Sequence, residues 1–168
     1  MNEQRKQLTL FIEEGVADPI EHVRKTFNPL QYALIKAHVT LCREDELGQM
    51  DQILANIKRL KPGNLFIDFG APIRFAEGQG VLIPARGDYT AFRNLRSELL
   101  DGTYIQLKDH APHITLLHPR NSLCTDELYE HIRQIPLPTR IEFKTISLIQ
   151  QAFGQPWMTM NEFKLIAV

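Results

Sequence analysis

Apolar positions in this chain fall into short runs and helical stripes separated by turn residues. Leu8 to Ile12 is a compact apolar run rich in β-formers and predicts a strand. Asp18-Pro19 has the form of a helix cap followed by proline at the first helical position, with Ile20, Val23, Arg24 and Phe27 at helical spacing. Asn28-Pro29 ends that helix, and Leu34 to Leu41 predicts the next strand. Asp45 opens a second helix with Leu47, Met50, Ile53, Leu54 and Ile57 on one face. A turn at Lys61-Pro62-Gly63-Asn64 leads to a strand from Leu65 to Phe69, continued at Ile73 to Phe75 after a bend.

The second half repeats this order. Val81 to Ile83 predicts a strand, and Asp88 caps a helix to about Leu100. Tyr104 to Leu107 reads as a short strand or a loop, and His113 to Leu117 as a strand. Thr125 starts a helix to about Ile135, which Pro136 and Pro138 break. Arg140 to Gln150 alternates as one long strand, a turn follows at Gly154-Gln155-Pro156, and Trp157 to Ile166 closes the chain. Each half thus reads strand, helix, strand with a histidine, helix, strand. The alternation predicts an α/β or α+β fold with two like lobes around one cleft. Without a long linker, residues 1–168 are expected to pack as one domain, with lobes near 1–78 and 79–168.

Composition narrows the setting. With 168 residues, 43% apolar and 23% charged, the chain is long enough for one ordinary core and too apolar for disorder. A net charge of −1 lacks the global field that long nucleic acids need, which favours a small phosphorylated ligand or a nucleic-acid end. Cys42 and Cys124 form no paired motif and are expected as reduced thiols in a cytoplasmic protein. No apolar run approaches the roughly 20 residues that span a bilayer.

The chemistry-bearing pattern is a repeat. Ala37-His38-Val39-Thr40-Leu41 is echoed by Pro112-His113-Ile114-Thr115-Leu116. In a strand, residues i and i+2 share a face, so His38 projects with Thr40 and His113 with Thr115, while the apolar residues between them face the other way. Two imidazoles, one neutral and one protonated, can take a proton from a nucleophile and give one to a leaving oxygen. Threonine hydroxyls can donate to the non-bridging phosphate oxygens, where charge builds. A single histidine before an apolar residue is usually structural. Chance recurrence of the four-residue pattern among six histidines is roughly one in a thousand at average composition.

These paired motifs resemble the 2H phosphoesterase superfamily, which includes LigT-like 2′-5′ RNA ligases and cyclic nucleotide phosphodiesterases. Both copies match the family's His-x-Ser/Thr-x motif at every defining position, and the element order matches over nearly the whole chain. The resemblance implies an α+β fold of two pseudo-symmetric lobes, each a small, mainly antiparallel sheet with flanking helices. It implies hydrolysis or synthesis of 2′,3′-cyclic, 2′-5′ or related phosphodiesters with neither metal nor cofactor. It gives the acid role to His38 and the base role to His113, and the near-symmetry of the motifs leaves the reverse open. The expected partner is a nucleotide cyclic phosphate or an RNA terminus, bound by a monomer away from any membrane.

Weaker candidates surround the motifs. Arg43 and Arg120 follow the two histidine strands and have the chemistry to hold phosphate from loops, although solvated surface arginine is the plainer reading. Arg74 precedes a glycine-rich segment, Glu77-Gly78-Gln79-Gly80, read as a mobile edge loop. Phe153 and Trp157 flank the last turn, and either can stack on a base or simply pack a hairpin. His118 reads as a rim residue or an incidental one, and His110 as a turn residue. Competing functions are 2′-5′ ligation, a non-catalytic RNA-binding module of the same fold, and a histidine metal site. The last is poor, because two histidines without nearby carboxylates make a thin ligand set.

Overall fold

The computed structural model describes residues 4–61 and 63–165. Among the described residues nine strands are formed: β1 (Gln4–Phe11), β2 (His38–Cys42), β3 (Leu65–Asp68), β4 (Ile73–Phe75), β5 (Gly80–Pro84), β6 (His113–Leu117), β7 (Arg140–Phe143), β8 (Thr145–Ala152) and β9 (Met158–Lys164). The helices are α1 (Glu14–Phe27), α2 (Pro29–Leu34), α3 (Met50–Arg59), α4 (Thr90–Leu99) and α5 (Asp126–Arg133). The strands make a seven-stranded sheet ordered β4-β5-β6-β2-β1-β8-β9 and a two-stranded sheet of β3 and β7, with every pair antiparallel. The fold is α+β. The sheet is continuous across the two expected lobes, because β2 meets β6 at Val39 and Ile114. Strands from both chain ends pair as β1 with β8, and the expected boundary near residue 78 falls within the β4–β5 hairpin.

One buried cluster runs from Leu8, Leu10 and Ile20 through Val39 and Ile114 to Ile141 and Phe143. Each fully buried aliphatic side chain of this kind contributes roughly 1.5–3 kcal/mol of transfer free energy. At the centre of the large sheet, Val39 and Ile114 are wholly buried on the core side. By alternation, His38, Thr40, His113 and Thr115 therefore project from the opposite face, where each is half-buried.

Several expected boundaries shift, each for a tertiary reason. α1 begins at Glu14, so Pro19 lies inside it and forgoes the bond its missing N–H would have made. Asn28-Pro29 does end α1, but Pro29 then starts α2, and the strand expected from Leu34 begins only at His38. The helix expected from Asp45 is a 3-10 turn at Glu44–Glu46, and α3 starts at Met50. Here the Glu46 carboxylate is drawn into the core by Arg96, with 2.6 and 3.0 Å bonds, and also accepts from the Arg43 N–H. The long strand expected from Arg140 is two strands in different sheets. Burial falls on Ile141 and Phe143, then shifts phase to Ile146 and Leu148, where the chain crosses from β3 to β1.

The cap at Thr125 forms as expected, its Oγ1 accepting from the Leu128 N–H at 3.2 Å, whereas the cap position of α4 falls on Tyr89 without a side-chain bond and Asp88, one residue earlier, accepts from the Thr90 N–H at 2.8 Å. Tyr104 to Leu107 has no regular structure. Trp157 precedes β9. Pro62 of the expected turn and Ile166 of the expected closing strand lie outside the described residues.

Candidate active site

The antiparallel contact of β2 with β6 explains why one motif occurs twice. With Val39 opposite Ile114, the local two-fold of the pair sets His38 near Thr115 and Thr40 near His113. The two histidines occupy diagonal positions, which in antiparallel geometry lie roughly 7–8 Å apart. They flank the β2–β6 junction on one face of the sheet.

Each imidazole is held in the same way. His38 Nδ1 lies 2.7 Å from the Lys36 carbonyl, and His113 Nδ1 lies 3.2 Å from the Ala111 carbonyl. A carbonyl only accepts, so in the neutral ring Nδ1 carries the proton and Nε2 is left with its lone pair. Burial pushes the His38 imidazole down to about 4, outweighing the Lys36 carbonyl, with Arg24 and His113 adding repulsion. The shift favours the neutral form of His38. Phe11, its partner in β1, meets it edge-on at 6.1 Å between ring centroids.

The segment leading into His38 is fixed from α1. Buried Arg24 donates to the Ile35 carbonyl at 2.7 Å and to Glu21 at 2.7 Å, and Glu21 also accepts from the Ala37 N–H. In the sequence, Arg24 is only a polar residue on a helical stripe, with nothing to mark its role. Thr40 Oγ1 accepts from Gln7 at 3.0 Å, and Gln7 also donates to Thr9 at 2.8 Å.

A cavity of about 500 Å³ opens over this face, lined by Arg5, Gln7, Thr40, Arg43, Glu44, Asp45, His110, His113 and Trp157. A neighbouring cavity of about 380 Å³ includes Phe11, Lys36, Ser147 and again Trp157. His38 lines neither cavity. Of the weaker candidates, Arg43 and Trp157 are brought to the site. Arg43 pairs with Asp45 at 3.2 Å, and the Arg5 guanidinium lies over the Trp157 ring at 5.3 Å.

Arg74 is committed elsewhere. It bonds Asp126, the Cys124 carbonyl and the Gly78 carbonyl, and it lines neither cavity. The segment read as a mobile loop is a tight turn with Ala76 and Glu77 at positive φ, closed by the Gly78 N–H on the Phe75 carbonyl. Gly80 is required there, because a Cβ would lie 2.5 Å from the Phe75 ring. Phe153 is 85% exposed at the β8–β9 hairpin tip, and Arg120 is exposed in the turn after β6; neither lines the cavity with His113. His118 accepts from the Arg120 N–H through Nδ1 in that same turn.

Sequence reasoning missed Arg5, Gln7 and His110. The first two come from β1, whose pairing with β2 no local pattern announces. His110 stands three residues before His113, and that proximity was its only signal. Among the described residues, no group of three or more His, Cys, Asp or Glu side chains converges to hold a metal ion. No described helix is long and apolar enough to cross a membrane.

No family model and no curated protein sequence matches the chain. Solved structures do. E. coli LigT complexed with ATP superposes with a TM-score of 0.69 at 17% identity, covering 98% of this chain and 99% of LigT. E. coli LigT complexed with 3′-AMP gives 0.66 at 18% identity, covering 96% and 98%. TT0787 of Thermus thermophilus gives 0.61 at 17% identity, covering 97% and 98%. The chain thus has the fold of LigT-like phosphoesterases over essentially its whole length.

Proposed function

We propose that the protein is a 2H phosphoesterase that hydrolyses 2′,3′-cyclic or related nucleotide and RNA-end phosphodiesters without a metal. The carrying observation is the β2–β6 contact at Val39 and Ile114. It sets two imidazoles and two threonines on one sheet face, and the anchoring of each ring through Nδ1 supports a reaction through Nε2. Solved LigT structures hold ATP and 3′-AMP, which supports a nucleotide as the ligand here.

Neutral His38 is the ring ready to take a proton from water, leaving His113 to protonate the departing ribose oxygen. This reverses the roles that the resemblance implied. Water attacks phosphorus, the P–O bond to the ribose oxygen breaks, and one proton passes to His38 as another leaves His113. Thr40 and Thr115 donate to the non-bridging oxygens. With the 5′-hydroxyl of a second RNA end in place of water, the same two proton transfers open a cyclic phosphate into a new phosphodiester, so ligation differs from hydrolysis only in the nucleophile.

The deciding experiment offers 2′,3′-cyclic nucleotides, 2′-5′ oligoadenylate and ADP-ribose cyclic phosphate with a chelator present. Turnover of at least one substrate that falls in His38→Ala and His113→Ala is expected. Nucleotide binding with no turnover of any substrate would favour a binding module. Activity lost in chelator and restored by one added metal would refute the metal-free mechanism.

A further inference from the structure

We propose that His110 is a positioning residue that clasps the two histidine strands together. The inference rests on the reading of His38 and His113 as a reacting pair. Their spacing depends on how β2 and β6 are held, and these strands meet through the Val39–Ile114 pair. His110 adds a second link. It lies in the segment before β6, and its Nε2 is 3.1 Å from the Thr40 carbonyl on β2. The same ring packs edge-on against His113 at 6.1 Å and tilted against Phe92 at 6.2 Å. Phe92 is wholly buried on α4. One imidazole therefore touches the backbone of one motif, the reacting ring of the other, and the core beneath.

The bond fixes a tautomer. Because the Thr40 carbonyl only accepts, His110 Nε2 must carry the proton. His38 and His113 carry theirs on Nδ1 when neutral. Three histidines around one site thus divide into two that present Nε2 to a reactant and one that spends Nε2 on the backbone. That division separates a positioning role from a reacting one.

The test compares His110→Phe, which keeps a ring and loses the donor, with His110→Gln, whose Nε2 reaches a similar distance. Nitrogen-15 shifts of the wild-type imidazoles should place the His110 proton on Nε2. Amide exchange at Val39 and Ile114 should quicken roughly threefold to tenfold in the Phe variant, the size of one lost hydrogen bond, and return in the Gln variant. On a turned-over cyclic phosphate, kcat should fall about tenfold in the Phe variant with KM within about twofold, and recover with Gln. Should the Phe variant not fold, His110→Asn, too short to span the gap, takes its place. An Nδ1–H tautomer at His110, or wild-type exchange and kcat in the donor-less variant, would overturn the proposal. A wild-type protein inactive on every phosphodiester sinks the functional reading instead, while the tautomer and exchange still decide the clasp.

Discussion

Removing the His38 imidazole bears most directly on the mechanism. At a pKa of about 4, only about one ring in a thousand is protonated at pH 7 in the free enzyme. As the acid, His38 would thus lose about three powers of ten in kcat/KM at neutral pH before any chemistry begins. As the base, it is already in the reactive form, although the same shift makes it a weaker base than an ordinary imidazole. His38→Ala should therefore lower kcat/KM by roughly two to four powers of ten, the usual size of one proton-transfer contribution. In the wild type, loss of the base should lower kcat/KM only as pH approaches 4, where His38 takes up its proton. A 4-nitrophenyl phosphodiester, whose leaving group needs no proton, decides the roles. It should rescue His113→Ala and leave His38→Ala impaired. Rescue of His38→Ala instead would refute the argument from burial. Near-normal rates of both single variants on the natural substrate would refute the acid–base pair altogether.

The remaining expectations concern the frame and the rim. Arg96→Met strands a buried Glu46 carboxylate and should cost about 3–5 kcal/mol in urea unfolding; a loss under 1 kcal/mol would show that the pair does not organise this corner. His38, lowered by burial, binds protons less readily folded than unfolded, so its contribution is present above the ordinary pKa of 6.5 and lost as pH falls towards 4. Thermal melts should show the wild type losing more stability than His38→Phe across that window. Trp157→Ala should raise KM for a nucleotide several-fold because its ring walls the cavity, whereas Phe153→Ala at the hairpin tip should leave KM unchanged. Equal effects of the two would remove Trp157 from the binding surface.

Local rules decide what neighbouring residues can decide. The His-apolar-Thr-Leu repeat puts each histidine with its threonine on one strand face, since side-chain direction alternates every residue. The cap at Thr125, the Asp88 bond just before α4 and the break at Asn28-Pro29 are likewise written in short-range chemistry. Tertiary structure decided the rest. Which strands pair is a long-range choice, so nothing near Gln7 or His110 announced their place beside Thr40. Arg74 looked free in the sequence and proved to be held by Asp126 and Cys124, some 50 residues away. Even the split at Lys144 follows from packing, because two sheets compete for one alternating stretch and the shift in buried phase shows where each takes hold. The chain alone marked the side chains expected to carry the chemistry, while the pairing of Val39 with Ile114 sets them on one face of one sheet.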